Sequence, residues 1–217
     1  MLKAVFQFLP AGLQNGLRRE RAAFRRWTGS RRLRRELGHT QEWKIVVGTS
    51  GVFEPGWIPT DIEYLNLLQD ADWRNFFSEG SVSAILAEHV WEHLTPGQGL
   101  MAAQACHRYL RSGGRLRLAV PDGLHPDPAY RRQVEINGTG AGADDHKVLY
   151  THESLTRLLG QAGFTVTLLE YFDANGIFHF QDWNRADGMV HRSSRHDERN
   201  AGGKLAYTSL IVDAFKP

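Results

Sequence analysis

The chain has 217 residues, 41% of them hydrophobic, which suits one domain with an ordinary core and an extension. Residues 1–40 contain one lysine and nine arginines against two glutamates, a charge of +8, so the remainder of this +2 chain carries −6. Cys106 is the only cysteine, which excludes an internal disulfide and a cysteine-ligated metal cluster and favours a reducing, cytoplasmic location. No apolar run approaches the ~20 residues that a membrane-spanning helix needs.

The N-terminal 40 residues are predicted to be a basic extension of a domain that spans residues 41–217. Their arginine-rich part is predicted to be helical with a break at residues 28–30, and the apolar opening of residues 1–9 is too short for a secretory signal. The simplest interpretation is a solvated basic helix. The functional alternatives are a peripheral contact with an anionic membrane, an organellar leader and a nucleic-acid arm. Of these partners we expect a membrane surface and not nucleic acid.

From Trp43 onward, short apolar stretches typical of strands alternate with helix-like periodicity. Thr95 and Pro96 suit the start of a helix over residues 96–111, which Gly113 would end, and Thr151 suits the cap of another. This alternation predicts an α/β domain with a doubly wound, Rossmann-like sheet. Strands are predicted at residues 44–47, 57–60, 64–68, 82–87, 115–121, 164–171 and 207–215, with a long polar loop over residues 172–204.

A glycine turn follows the first predicted strand. Gly48 and Gly51 allow the backbone to approach a ligand closely, and Thr49 and Ser50 between them offer N–H groups and hydroxyls. Asp61 ends the next predicted strand, where a carboxylate can accept hydrogen bonds from two ribose hydroxyls. The pattern predicts a nucleoside at the edge of a parallel sheet. The plainer alternatives are an ordinary loop after the strand and a helix-capping role for Asp61.

Together with this turn, five further segments resemble a known family. Residues 43–217 are similar to class I S-adenosylmethionine-dependent methyltransferases, and most similar to a group of small bacterial predicted methyltransferases. This resemblance implies a mostly parallel sheet with an antiparallel last strand. The segments that carry it are residues 55–61, residues 87–94 with the sequence Ala-Glu-His-Val-Trp-Glu-His-Leu, residues 110–122, and the block of residues 145–164 together with the tail 209–217.

The resemblance implies S-adenosylmethionine as the cofactor, bound at the carboxyl ends of the strands. The turn of Gly48, Thr49, Ser50 and Gly51 would surround its methionine and ribose portions, and Asp61 would take the ribose hydroxyls. No metal is expected at this site.

Two further groups of residues are implied as cofactor contacts. Asn66 and Leu67 would flank the adenine. Ala87, Glu88 and His89 would lie beneath the methyl-bearing sulfonium.

The chain also departs from the family pattern. Ser50 stands where a second glycine is usual, and Asn66 and Ser83 each stand where an aspartate is usual. The short link from Gly51 to Trp57 leaves no room for the usual first helix, which removes a helix dipole from the site. An alternative to an active enzyme is therefore a methyltransferase-like binding or accessory domain without turnover.

A rival interpretation concerns His89, Glu92 and His93. Their His-x-x-Glu-His spacing matches a zinc hydrolase motif, in which two histidines one helical turn apart bind the metal and the glutamate acts as a base. Such an enzyme needs a third ligand on a following helix, where the predicted helix offers only His107. The methyltransferase interpretation is preferred, and a capping or packing role is the plain alternative for both histidines.

Methyl transfer needs a base only if the acceptor loses a proton. His89, His146 and His179 are candidates because neutral imidazole titrates near working pH, and Tyr150 is a candidate for positioning the acceptor. The expected acceptor is a small polar molecule or a glycan. Residues 172–204 are interpreted as a substrate lid, with a solvated flap as the alternative.

Overall fold

The computed structural model describes residues 11–49, 53–203 and 205–217, so the apolar residues 1–9 and the turn residues Ser50 and Gly51 lie outside the described part. The described helices are α1 (Ala11–Gly38), α2 (Asp70–Arg74), α3 (Pro96–Tyr109), α4 (Pro128–Val134) and α5 (His152–Gln161). The described strands are β1 (Trp43–Val47), β2 (Ile58–Pro59), β3 (Val82–Glu88), β4 (Leu110–Pro121), β5 (Thr165–Phe172), β6 (Phe178–Phe180) and β7 (Ser209–Phe215). None of the described helices combines the length and the apolar character that crossing a membrane requires.

The strands form one sheet in the order β2-β1-β3-β4-β7-β5-β6. β1 is parallel to β2 and to β3, and β3 is parallel to β4. The last strand, β7, is antiparallel to its neighbours β4 and β5, and the short β6 is antiparallel to β5. The predicted α/β fold, with a mostly parallel sheet and an antiparallel last strand, is therefore confirmed.

Alternate strand residues face a large apolar core on one side of the sheet. Ile45, Ile85 and Leu116, from three neighbouring strands, are fully buried there together with Trp73 of α2 and Leu155 of α5. The period of two along each strand separates this set from the residues that face the other way. Helices α1, α2, α3 and α5 all contribute buried residues to this core, and so they cover one face of the sheet.

On the opposite face, the described covering is irregular chain. Val46 and Leu86 pack with Trp57 and with Val190, which lies in the long loop after β6. The Trp57 indole N–H donates to the Ala186 carbonyl at 3.4 Å.

A buried ion pair fixes the same loop on this face. The Arg117 guanidinium, 1% exposed, makes two hydrogen bonds of 2.7 Å to the carboxylate of Asp213 and a third of 2.7 Å to the Gly188 carbonyl. A buried charge is tolerated when it is paired and hydrogen-bonded in this way. Residues 183–190, part of the predicted lid, therefore lie against the sheet face.

Helix α1 runs without a break through residues 28–30, contrary to the prediction. The Thr28 hydroxyl donates to the Phe24 carbonyl one turn earlier, so its polar group is satisfied inside the helix. A Cβ at Gly29 would overlap the ring of Tyr64, so the glycine permits a close approach of helix and domain. Leu33 and Leu37 are 1% and 9% exposed and belong to the core. Contact with the domain thus begins before the predicted boundary at residue 40.

The prediction of a third strand over residues 64–68 is also wrong, because this segment is not extended. The chain turns there, since Leu65 N–H donates to the Asp61 carbonyl at 2.9 Å and the Asn66 side-chain oxygen accepts from Leu68 N–H at 2.9 Å. Asparagine favours such local side-chain hydrogen bonds over extended structure.

The helix predicted over residues 96–111 is confirmed as α3 but ends earlier, at Tyr109. Its start is a capping box, in which Thr95 and Gln98 each bond the other's backbone N–H. β4 begins directly afterwards at Leu110, and Gly113, with φ of +71°, lies inside the strand at a break in its register with β3. Gly113 therefore marks an irregularity in a strand and not the end of a helix.

Candidate functional site

The turn after β1 lies at the carboxyl edge of the parallel strands. Gly48 has φ of +77°, a left-handed conformation that favours glycine, and a Cβ there would lie 2.7 Å from Val90 Cγ2. Thr49 N–H donates to the Thr60 carbonyl at 2.8 Å, which ties the turn to the end of β2. The conformation and the neighbouring Val90 therefore both require glycine at this position, and the approach of a ligand to it stays a prediction.

An apolar cavity of about 110 Å³ opens on one side of Gly48. Asn66 and Leu67, the two residues predicted to flank an adenine, line it. Its other walls come from residues that the sequence patterns did not single out, namely Val47, Ile62, Leu65, Leu68, Val90 and Leu94. The cavity suits a flat, weakly polar group.

A more polar cavity of about 410 Å³ lies on the other side of Gly48. Thr49 and Glu88, both predicted cofactor contacts, line it together with Phe53, His191 and Arg192. Opposite charges on Glu88 and Arg192 can hold a ligand that carries both an ammonium and a carboxylate group.

The sequence patterns did not assign the residues that the long loop brings to this polar cavity. His191 and Arg192 belong to a span with many other polar side chains, and no spacing relates them to a turn more than 140 residues earlier. One signal was available in the sequence. An acid at the end of a strand, such as Glu88, can accept hydrogen bonds from the backbone N–H groups of a distant loop.

Ala87 does not line either cavity at Gly48. It is 1% exposed and lies in the apolar core beneath the strand ends. Its neighbour Glu88 points to the opposite side of the strand, as alternation requires.

Asp61 follows β2, as predicted, but it lines a third cavity of about 210 Å³ together with Arg25 and Arg32 of α1. Its carboxylate accepts a hydrogen bond of 3.3 Å from Glu63 N–H. The adjacent Ile62 lines the apolar cavity. The contact of Asp61 with a ribose stays a prediction.

His89 is held by protein groups on both ring nitrogens. Its Nε2 lies 3.0 Å from Ser209 Oγ, and its Nδ1 lies 3.0 Å from Glu92 Oε1. Its φ of +55° is uncommon for a residue other than glycine and is typical of functional sites. His89 does not line either cavity at Gly48, so its roles beneath the sulfonium and as a base stay predictions.

His146 and Tyr150 are both buried, and neither lines a cavity at Gly48. His146 Nδ1 lies 2.7 Å from the Val134 carbonyl. Burial, and then the charge of Glu92, raise the pKa of Tyr150 to about 12. This hydroxyl stays protonated at neutral pH and can donate a hydrogen bond to an acceptor, which fits the predicted positioning role better than proton abstraction.

His179 lies apart from these residues, on the edge strand β6. Its Nε2 lies 2.9 Å from Asp173 Oδ2, and this hydrogen bond holds the pKa of Asp173 below its usual range. Its ring stacks on Tyr171. The three histidines predicted as candidate bases therefore do not form one cluster.

His89, Glu92 and His93 do not have the helical geometry that a zinc hydrolase site requires. Residues 91–93 form a single 3-10 turn, so His89 and His93 do not lie one α-helical turn apart. His93 lies instead beside His146, with ring centroids 5.0 Å apart.

Three solved structures illustrate what this chain is similar to. One is a SAM-dependent methyltransferase from Archaeoglobus fulgidus, with 14% identity, a TM-score of 0.43, and coverage of 88% of this chain and 94% of that chain. The second, a SAM-dependent methyltransferase from Thermotoga maritima, has 16% identity, a TM-score of 0.45, and coverage of 80% and 73%. The third, a phosphoethanolamine N-methyltransferase from Haemonchus contortus in complex with S-adenosyl-L-methionine, has 11% identity, a TM-score of 0.41, and coverage of 88% and 53%. No protein-family model and no curated protein matches the chain.

Proposed function

We propose that this chain is an S-adenosylmethionine-dependent methyltransferase that binds its cofactor across Gly48. The observation that carries the proposal is the pair of cavities that meet at this glycine, one apolar and one polar, at the carboxyl edge of a parallel sheet. In open α/β sheets this edge is where ligands bind. The cofactor has the same two-part character, with an adenine at one end and an amino acid at the other.

The described residues after the glycine turn favour this cofactor over a dinucleotide. A pyrophosphate is held by the N-terminus of a helix that follows the glycine turn. Within the described residues after the turn, 53–57 form bends and turns and no helix. S-adenosylmethionine carries no phosphate and needs no such helix.

The residues that line the two cavities would contact different parts of the cofactor. Asn66 and Leu67 would hold the adenine in the apolar cavity. In the polar cavity the Glu88 carboxylate would accept from the methionine ammonium, and Arg192 would face its carboxylate.

When bound, the cofactor supplies a methyl group made electrophilic by its sulfonium. The protein's part is then to align the acceptor and to exclude water. The acceptor is proposed to be a small polar molecule or a glycan. If the acceptor loses a proton, His89 is the proposed base, since it directly follows β3 at the carboxyl edge of the sheet.

Isothermal titration of the full chain with S-adenosylmethionine, its demethylated product and NAD tests the proposal. We expect the first two to bind and NAD not to bind. Gly48→Ala should weaken binding at least tenfold, since the new Cβ meets Val90 in an unfavourable backbone conformation. Gly160→Ala, in helix α5 with open space around its Cβ, is the matched control. A folded chain that binds neither sulfur compound would overturn the proposal.

The rival within this proposal is a binding or accessory domain without turnover. It is supported by Ser50 and Asn66, which depart from the family pattern, and by the Ser209 hydroxyl, which already lies 3.0 Å from Nε2 of His89. Transfer of a labelled methyl group to polar small molecules or glycans from a cell extract separates the two. Cofactor binding without any transfer would favour the accessory role.

Helix α1 is proposed to contact an anionic membrane surface, with the rest of the protein in the cytoplasm. Phe24 and Trp27 are 64% and 55% exposed, and the Arg31 guanidinium lies 4.9 Å from the centre of the Trp27 ring. Exposed aromatic rings beside arginines are typical of interfacial helices. Co-sedimentation with vesicles rich in phosphatidylserine should fall with Trp27→Ser, and no binding even at low salt would contradict the proposal.

A further inference from the structure

Glu92, His93 and His146 form a cluster of metal-ligating side chains apart from the two cavities at Gly48. Each offers one ligand atom, and these atoms all lie within 4.8 Å of one another. Glu92 and His93 come from the 3-10 turn after β3, whereas His146 follows the 3-10 turn at Ala143–Asp145. We propose that these three residues bind a divalent transition-metal ion.

The Glu92 carboxylate is buried without a hydrogen-bond donor among the described residues. The side chain is 1% exposed, and neither oxygen accepts a hydrogen bond from any residue that the structure describes. His89 Nδ1 lies 3.0 Å from Oε1 but is not aligned as a hydrogen bond. A buried carboxylate without hydrogen bonds is costly to the folded state, and a bound cation would offset that cost.

His146 is oriented as a metal ligand would be. Its Nδ1 lies 2.7 Å from the Val134 carbonyl, which accepts hydrogen bonds only, so Nδ1 carries the proton. The lone pair is then on Nε2. Metal-ligating histidines commonly donate their other N–H to a backbone carbonyl in this manner, which fixes the ring and raises its basicity.

His93 supplies the second imidazole and the route from solvent. Its Nδ1 makes no hydrogen bond with a described residue, although Asp145 Oδ2 lies 3.5 Å away. Its side chain is 33% exposed, whereas Glu92 and His146 are buried. An ion can therefore reach the cluster past His93.

The ligand types indicate which metal would bind. Two imidazoles and one carboxylate suit zinc or a neighbouring transition metal, whereas calcium and magnesium favour all-oxygen sites. Ligands about 2.1 Å from a zinc ion lie roughly 3–4 Å apart, so side-chain shifts of about 1 Å would close the site. Three protein ligands leave a coordination position for water or a substrate.

This inference differs from the sequence-based expectation of no metal and from the His-x-x-Glu-His alternative. His146 replaces His89, and no peptidase helix is needed. The proposal does not rest on S-adenosylmethionine binding, because the metal ligands lie outside both cavities at Gly48.

The test uses the full chain, dialysed against a chelator and then titrated with zinc or with cobalt as a spectroscopic probe. We expect one zinc per chain by elemental analysis and visible cobalt absorption bands typical of a site with nitrogen ligands. His93→Gln and His146→Gln should each weaken zinc binding at least tenfold. His39→Gln, at an exposed histidine, is the matched control and should bind like the parent chain.

Circular dichroism of each variant separates loss of metal from loss of fold. If His146→Gln does not fold, the partly exposed His93→Gln decides the question. A folded parent chain that binds no zinc at micromolar concentration would overturn the proposal, as would binding that His93→Gln leaves unchanged. Because no S-adenosylmethionine is present, either failure leaves the proposed methyltransferase function untouched.

Discussion

Glu88, the last residue of β3, accepts a hydrogen bond of 2.7 Å from the backbone N–H of Arg192, 104 residues later in the chain. Its other oxygen accepts from His191 N–H at 3.1 Å. One carboxylate at the edge of the sheet therefore fixes the part of the long loop that lines the polar cavity. We expect Glu88→Ala to lower the free energy of unfolding by about 1.5–3 kcal/mol, the range for hydrogen bonds to a charged group. Urea denaturation measures this change.

The same variant should expose the loop to protease. Trypsin should cut the Glu88→Ala chain after Arg192 faster than the parent chain, because the two backbone hydrogen bonds are lost. Glu79→Ala, at a 71% exposed glutamate, is the control and should leave both stability and cleavage unchanged. Equal cleavage of parent and Glu88→Ala chains would show that other contacts hold the loop.

Asp61 is predicted to contribute to cofactor binding. Asp61→Ala is expected to weaken S-adenosylmethionine binding by about 1–3 kcal/mol, as loss of a polar contact to the ribose would. The measurement is isothermal titration. Unchanged affinity would assign the carboxylate to the cavity that it shares with Arg25 and Arg32, and so to the docking of helix α1.

The sequence predicted those parts of the structure that depend on local pattern. The strand from Lys44 to Val47 and the helix start at Thr95 and Pro96 were found because apolar runs and capping residues act over a few positions. The alternation of strands and helices predicted the α/β sheet, and the resemblance to class I methyltransferases implied its antiparallel last strand.

What the sequence did not predict depends on contacts between distant segments. Gly29 looks like a helix break, but it is the place where α1 packs against Tyr64. His146 meets Glu92 only because the chain folds back after α4. Tertiary packing overrides local propensity at such positions, and no spacing in a single sequence reports it.

Leu33 connects helix α1 to the domain. It is 1% exposed and belongs to the core, so Leu33→Ala should lower the free energy of unfolding by about 2–5 kcal/mol, the range for removing a buried leucine side chain. Phe24→Ala, on the same helix with a 64% exposed ring, should change it by less than about 0.5 kcal/mol. Denaturant unfolding monitored by tryptophan fluorescence compares the two. Equal values would mean that α1 is not part of the cooperative unit, and that a truncation at residue 40 would leave the domain intact.

His125 makes stability depend on pH. It is 3% exposed, its ring stacks on Tyr130 with centroids 3.9 Å apart, and burial lowers its pKa below the ordinary value of 6.5. The unfolded chain therefore takes up a proton at a higher pH than the folded chain. This contribution to stability is complete above pH 6.5 and is lost as the pH falls from 6.5 towards the lowered pKa of the folded state.

A comparison of His125→Gln with its parent chain isolates this contribution. Glutamine does not titrate, so the variant should lose less stability than the parent between pH 7 and pH 5, even if its stability at pH 7 is lower. His107 and His196, whose pKa values burial also lowers, remain in both chains and give the same background. His39→Gln, at an exposed histidine, should retain the full slope of the parent. Parallel pH curves for the parent and His125→Gln would mean that His125 has the same pKa in the folded and unfolded chain.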